Sequence, residues 1–189
     1  MHQPGIAGCA FMGKRRLAYI AQRLLLLSFL SLCSLQSRAA PENGFAVYFG
    51  PLHSHNPGED ITGNGVSVNA DAQMALNDRW SLNPYLELSY EHTNQPYSLL
   101  DGSAGLQARY WMGQWFIGAQ YLFHDENRRQ NGNITAGIYG AAFGLATGWE
   151  WSNHWTVVLE VNSFEGQGLD LSSHNSRTDA RIQIGYRWY

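Results

Sequence analysis

The chain has 189 residues, 13% of them aromatic, and a formal net charge of −3. Its one lysine and four of its arginines precede residue 40, so the rest of the chain carries seven arginines against fifteen acids. This acidic balance argues against nucleic-acid binding, which requires clustered Lys and Arg.

The first 39 residues have the order of parts found in a secretory signal peptide. A basic segment at 14–23 precedes an apolar run of about a dozen residues, which is too short for a transmembrane helix. Small residues follow this run, and we expect cleavage after Ala39. Residues 1–39 are therefore predicted to be the signal peptide and residues 40–189 the mature domain.

Both cysteines, Cys9 and Cys33, lie in this leader. The mature chain must then be stabilised by its own core, by a metal or by a membrane, because no disulfide is available to it. A lipid anchor on Cys33 is the less favoured alternative, since Leu32 is large where such a signal requires a small residue. Translation starts at Met1 or at Met12, which directly precedes the basic segment.

After the leader, apolar and polar residues alternate with a period of two, and turn signals interrupt the alternation. Eight such segments are predicted as strands: 44–51, 64–76, 80–92, 103–112, 115–124, 137–151, 155–164 and 178–189. The predicted short turns are 77–79, 113–114 and 152–154, and the predicted long polar loops are 52–63, 93–102, 125–136 and 165–176. Short and long connections alternate, an asymmetry typical of transmembrane barrels.

The aromatic residues indicate which side of each strand faces lipid. All seven tryptophans are predicted near the short turns or the C-terminus, where indole rings would lie at a bilayer interface: Trp80, Trp111, Trp115, Trp149, Trp151, Trp155 and Trp188. A second girdle is predicted from Tyr90, Tyr121, Phe123 and Tyr139. We therefore predict an all-β fold, an eight-stranded antiparallel up-and-down transmembrane β-barrel. A soluble periplasmic barrel with a ligand cavity is the alternative.

The opposite faces of the strands carry charged residues that would project into the barrel. The predicted polar network of the lumen comprises Asp71, Glu87, Glu91, Arg109, Glu150, Glu160, Asp179, Arg181 and Arg187. Side chains just fill an eight-stranded barrel, so these charges should pair with one another. A polar interior that stabilises the barrel is the favoured interpretation, and a narrow pore or proton path is the alternative.

The ending "GYRWY" resembles the C-terminal assembly signal of bacterial outer-membrane barrels, with Tyr186 and Trp188 in alternation. The mature chain as a whole resembles the small eight-stranded outer-membrane proteins of the OmpA-barrel and OmpX type. This resemblance implies a monomer in the outer membrane of a Gram-negative bacterium, surrounded by lipid and lipopolysaccharide and inserted by the barrel-assembly machinery. It implies a structural or surface-interaction role through external loops, with no cofactor.

Lipid A deacylases of the PagL type and lipid A palmitoyltransferases of the PagP type share this architecture. The deacylases carry a His-x-Ser-Asn motif on a late strand, whereas the nearest phrase here is "EHTN" on the third strand. The palmitoyltransferases begin with an amphipathic helix, for which the segment before the first strand is too short. A lipid A-modifying hydrolase remains the alternative function, with rim candidates His92, His124, Ser163, Glu165 and His174 for nucleophile, base and orienting acid.

Two clusters in the predicted loops have weaker interpretations. His53 and His55 with Glu59 and Asp60 could hold a metal, but so few ligands in a loop favour no metal site. The segment "HDENRR" at 124–129 could bring Arg128 and Arg129 to lipopolysaccharide phosphates through charge-assisted hydrogen bonds. Solvated loop charges are the alternative for these arginines.

Overall fold

The structure, a computed structural model, describes residues 41–151, 154–168 and 174–189. Its strands are β1 (Gly44–Asn56), β2 (Ile61–Ala75), β3 (Trp80–Thr93), β4 (Ser98–Met112), β5 (Trp115–Gln130), β6 (Asn133–Glu150), β7 (Trp155–Gly168) and β8 (His174–Trp188). Each strand pairs antiparallel with the next, and β1 pairs with β8 to close the barrel. The predicted eight-stranded antiparallel barrel is confirmed. The predicted signal peptide lies outside the described residues.

No helix in the described part of the chain has the length and apolar character needed to cross a membrane. We call the side of the barrel with the β2–β3, β4–β5 and β6–β7 connections the turn end. The opposite side, with the β1–β2, β3–β4, β5–β6 and β7–β8 connections, is the loop end.

The strands at the loop end are longer than the sequence predicted. β1 and β2 are joined by residues 57–60 alone, and β5 and β6 by Asn131 and Gly132 alone. Both of these turn residues have positive φ, of 51° and 82°, as a two-residue hairpin turn requires. The prediction of long loops in these regions was therefore wrong. Polar residues occupy much of both faces there, so the apolar alternation is weak although the hydrogen-bonded ladder continues.

The outer wall of the barrel is apolar and exposed. Leu88 on β3 exposes 67% of its surface, and Phe143 and Leu145 on β6 expose 66% and 70%. Soluble proteins rarely expose a continuous apolar surface of this kind, whereas a lipid-facing barrel wall requires it. The outward girdle at the loop-end side contains Tyr90, Tyr121, Phe123 and Tyr139, which are all exposed.

Six of the seven tryptophans point outward at the turn end, but Trp111 does not. Its side chain is 6% exposed, its indole Nε1–H donates to Ser81 Oγ at 3.0 Å, and its ring contacts Phe116 at 5.0 Å between centroids. The prediction that Trp111 lies at the lipid interface was wrong. Residues two apart on a strand share a face, so Trp111 must point inward wherever Arg109 does.

The seam between β1 and β8 requires a close approach of two backbones at Gly50. A Cβ on this residue would overlap the carbonyl oxygen of Ile182 and lie 2.8 Å from the Cα of Gln183. The pairing of β1 with β8 runs from Phe45–Trp188 to Phe49–Ile184 and resumes at Leu52–Arg181. Glycine therefore allows the last strand to reach the first.

Replacing Gly50 with alanine is expected to weaken this closure, because the new Cβ would collide with the β8 backbone. Gly102→Ala is the matched control, since its Cβ would meet only Leu88 Cδ2, at 3.8 Å. We expect Gly50→Ala to lower the urea midpoint of unfolding in detergent and to deplete the fast-migrating folded band of unheated samples on a denaturing gel. Gly102→Ala should match the wild type in both measurements. Equal behaviour of the two variants would contradict the close approach at the seam.

Candidate functional site

Charged and polar side chains fill the inside of the barrel. The structure places all nine sequence-predicted lumen residues there, each at most 7% exposed: Asp71, Glu87, Glu91, Arg109, Glu150, Glu160, Asp179, Arg181 and Arg187. They divide into three groups along the barrel, which we call the turn-end, central and loop-end clusters. In each cluster, arginine side chains contact the carboxylates.

The turn-end cluster contains two arginines and two carboxylates. Arg109 is ion-paired with Asp71, and Arg187 lies 3.5 Å from both Asp71 and Glu150. Tyr48 accepts a hydrogen bond from Arg187 Nη2 at 2.7 Å. The positive and negative charges of this cluster are equal in number, so each buried ion has an opposite neighbour.

The central cluster surrounds Arg181. Its guanidinium is ion-paired with Glu87 and with Asp179, the latter at 2.9 Å, and lies 3.9 Å from Glu160. The hydroxyl of Tyr85 donates to Glu87 Oε2 at 2.6 Å. This cluster ties β8 to β3 and β7, across the barrel as well as along its wall.

The loop-end cluster is centred on Arg177, which was not among the predicted lumen residues. This side chain is 3% exposed and contacts carboxylates from four strands: Asp101 at 2.6 Å, Asp179 at 2.9 Å, Glu126 at 3.0 Å and Glu91 at 3.4 Å. Two predicted strands began too late to include Asp101 and Arg177, and one ended too early to include Glu126. Extending the two-residue alternation outward by one step from Asp179 would have found Arg177.

The rim residues proposed for catalysis are not assembled into one site. His92 is exposed on the outer face of β3, and Ser163 and Glu165 are exposed on the outer face of β7, on the other side of the barrel. His124 points inward, where Nδ1 lies 2.7 Å from Ser103 Oγ. His174 begins β8, and its side chain lies outside the described residues. The described members of this set do not form a nucleophile, base and acid within hydrogen-bond reach of one another.

The charges near the β1–β2 turn are engaged with one another. Glu59 accepts a hydrogen bond from Arg128 Nη2 at 2.5 Å, and Arg128 Nε donates to Glu126 Oε1 at 3.1 Å. The guanidinium of Arg128 lies 5.4 Å from the ring centroid of Tyr97, and burial raises the pKa of that phenol. His53 Nδ1 lies 2.9 Å from Asn64 Oδ1. Glu59 therefore forms an ion pair with Arg128.

One group of potential metal ligands is present in the described ranges, away from those predicted histidines. A ring nitrogen of His124 and one carboxylate oxygen each of Asp101 and Glu126 all lie within 4.8 Å of one another. All three side chains are buried. This combination was not predicted, because the predicted fifth strand ends at residue 124 and the predicted fourth begins at residue 103.

Replacing Arg177 with methionine is expected to lower the free energy of unfolding by about 3–5 kcal/mol, because buried carboxylates would lose their common partner. Arg79→Met is the matched control: Arg79 is exposed and donates to Tyr110 Oη at 3.0 Å, so its loss should cost less than about 1 kcal/mol. Urea unfolding in lipid vesicles, followed by tryptophan fluorescence, measures both. A loss for Arg177→Met no larger than that of the control would show that Arg177 does not stabilise the interior.

No protein-family model matches the chain, and no curated protein sequence matches it. The fold is similar to that of Neisserial surface protein A, with a TM-score of 0.55 and 11% identity over 76% of this chain and 95% of that one. It is also similar to Ail, the attachment invasion locus protein of Yersinia pestis, with a TM-score of 0.53 and 9% identity over 79% of this chain and 100% of that one. At such identities the likeness shows the fold alone. The chain has the closed eight-stranded antiparallel barrel of small outer-membrane proteins.

Proposed function

We propose that this chain is an integral outer-membrane β-barrel whose loop-end hairpins interact with molecules at the cell surface. The observation that carries the proposal is the distribution of side chains, with an exposed apolar wall outside and buried ion pairs inside. A lipid bilayer is the environment in which such a wall is stable, and closure satisfies the backbone hydrogen bonds that lipid would leave unmade.

The lengths of the strands support a projection beyond the membrane at the loop end. About 9–11 tilted residues suffice to cross a bilayer, whereas β5 has 16 residues and β6 has 18. The extra residues lie beyond Asp125 on β5 and Tyr139 on β6, and those of β5, Glu126–Gln130, carry polar side chains on both faces. We infer that the β5–β6 hairpin stands above the bilayer surface as an extended sheet.

Lipopolysaccharide is the partner that this location favours. Arg128 is already paired with Glu59 and Glu126, but Arg129 faces outward and has no carboxylate partner among the described residues. An outward guanidinium at this height is suited to a lipid phosphate. Ail has also been crystallised with the heparin analogue sucrose octasulfate, and that structure has a TM-score of 0.51 with this chain at 8% identity. Anionic sugars are therefore a second class of ligand to test.

Residues 1–39 are proposed as the export signal, and β8 as the strand recognised by the barrel-assembly machinery. On β8, Ile182, Ile184, Tyr186 and Trp188 lie on the outer face, where assembly factors and later lipid could contact them. A barrel that closes on itself through β1 and β8 needs no second copy, so we propose a monomer.

A short peptide epitope tests the location and the orientation together. Inserted between Gly58 and Glu59 in the β1–β2 turn, the epitope should bind antibody on intact cells. Inserted between Asn77 and Asp78 at the turn end, it should bind only after the outer membrane is permeabilised. The reverse result would contradict the orientation, and recovery of both tagged proteins in the soluble fraction would contradict the membrane location.

The alternative of a lipid A-modifying hydrolase is tested by mass spectrometry. Lipid A from cells expressing the chain should have the same mass as lipid A from cells expressing the Ser163→Ala variant and from cells lacking the protein. The reason is that Ser163 and Glu165 are on the outer face of β7 with no described histidine beside them. Loss or gain of one acyl chain in the wild-type sample would overturn the proposed role.

A further inference from the structure

Adjacent strands β4 and β5 bring three ligand groups together inside the loop end of the barrel. Asp101 pairs with Glu126 in the ladder, and Ser103 pairs with His124 one step further inward. One oxygen of each carboxylate and one imidazole nitrogen lie within 4.8 Å of one another. Atoms that share one metal ion at about 2.0–2.3 Å lie at most about 4.6 Å apart, so only small side-chain movements are needed to bring all three onto one ion.

The imidazole is held in one orientation and presents a nitrogen without a partner. Nδ1 of His124 lies 2.7 Å from Ser103 Oγ, and the ring packs against Phe164 with centroids 4.3 Å apart. Nε2 has no hydrogen-bond partner within the described residues, although the side chain is 4% exposed. When Nδ1–H donates to the serine, Nε2 presents its lone pair. Metal-bound histidines are commonly oriented by such a second hydrogen bond.

The carboxylates also retain unused acceptor capacity. Asp101 Oδ2 accepts from Arg177 at 2.6 Å, whereas its Oδ1 has no hydrogen-bond partner in the described chain. The two oxygens of Glu126 accept from Arg128 at 3.1 Å and Arg177 at 3.0 Å, and each oxygen has a second lone pair. Both carboxylates therefore keep acceptor lone pairs that Arg177 and Arg128 do not use, and these lone pairs are available to a cation.

The charge of the barrel interior also favours a bound cation. The described barrel buries four arginines and eight carboxylates, the latter being Asp71, Glu87, Glu91, Asp101, Glu126, Glu150, Glu160 and Asp179. The turn-end cluster is balanced, so the other six carboxylates share Arg177, Arg181 and the half-buried Arg128. The central and loop-end clusters therefore hold three more carboxylates than arginines, and such an excess is costly in a buried site unless protons or a cation compensate it. A divalent cation would compensate two of these carboxylates.

We propose that the loop end of the barrel interior binds a divalent transition-metal cation through Asp101, His124 and Glu126. One imidazole and two carboxylates suit Zn²⁺, Mn²⁺ or Co²⁺ better than Mg²⁺ or Ca²⁺, which take oxygen ligands. The ion links β4 to β5 inside the barrel, next to the loop-end connections. Asp101 and Glu126 lie within four residues of Ser98 and Gln130, the loop-end termini of their strands, so the ion enters from that side.

The test uses the protein purified from membranes in detergent, stripped of metal with EDTA and then titrated with Co²⁺. We expect about one equivalent retained through gel filtration, with visible absorption bands of a nitrogen- and oxygen-ligated ion. Ca²⁺ in excess should not displace it. Zn²⁺ should displace it and raise the thermal midpoint of the wild-type barrel.

His124→Gln and Asp101→Asn are expected to abolish this retention, and Ser103→Ala to weaken it by about 10–100-fold, since it removes the partner of Nδ1. His92→Gln is the matched control, because His92 is exposed on the outer face of β3. The folded band of unheated samples shows which variants are intact, and Asp101→Asn and Ser103→Ala report on the site should His124→Gln fail to fold. Wild-type protein that retains no Co²⁺, or retention that intact Asp101→Asn and His124→Gln leave unchanged, would overturn the proposal.

Discussion

The hydrogen bonds that join β8 to β1 are the constraint on which the rest of this molecule depends. With that ladder in place, no strand of the barrel presents a free edge, and the backbone can be surrounded by an apolar medium. The pairing at this seam skips Gly50 and Pro51, and proline has no N–H to donate. Gly50 has no side chain to obstruct β8, and Pro51 has no N–H that would lack a partner. The two strands therefore meet there with little loss of hydrogen bonding.

Closure of the barrel creates a narrow interior, and the inward side chains of all eight strands must fit and pair within it. Every second residue of eight strands points into the same space, so polar residues meet partners from distant parts of the sequence. Arg177 contacts carboxylates on β3, β4 and β5, and Arg181 reaches Glu87 on β3. These contacts tie opposite walls together, which the ladder of hydrogen bonds alone does not do.

The sequence was sufficient for the architecture, because strict alternation and clustered tryptophans are both consequences of lipid on one side of a strand. It was insufficient at the loop end, where polar residues occupy much of both faces and the difference in polarity between the faces is small. Arg177 and Glu126 were missed for that reason, although Asn131 and Gly132 form a recognisable hairpin signal between β5 and β6. Trp111 was assigned to the wrong face of β4 because its position near a turn was given more weight than its spacing of two residues from Arg109.

Three of the four buried arginines in the described barrel, Arg177, Arg181 and Arg187, are on β8. The carboxylates near them are on every strand from β2 to β7 as well as on β8 itself. Without β8, the carboxylates of the other strands would line an acidic, water-filled trough and repel one another. Arrival of the last strand supplies the missing backbone partners and most of the missing positive charge in one step. Closure of the barrel and neutralisation of its interior thus depend on the same strand.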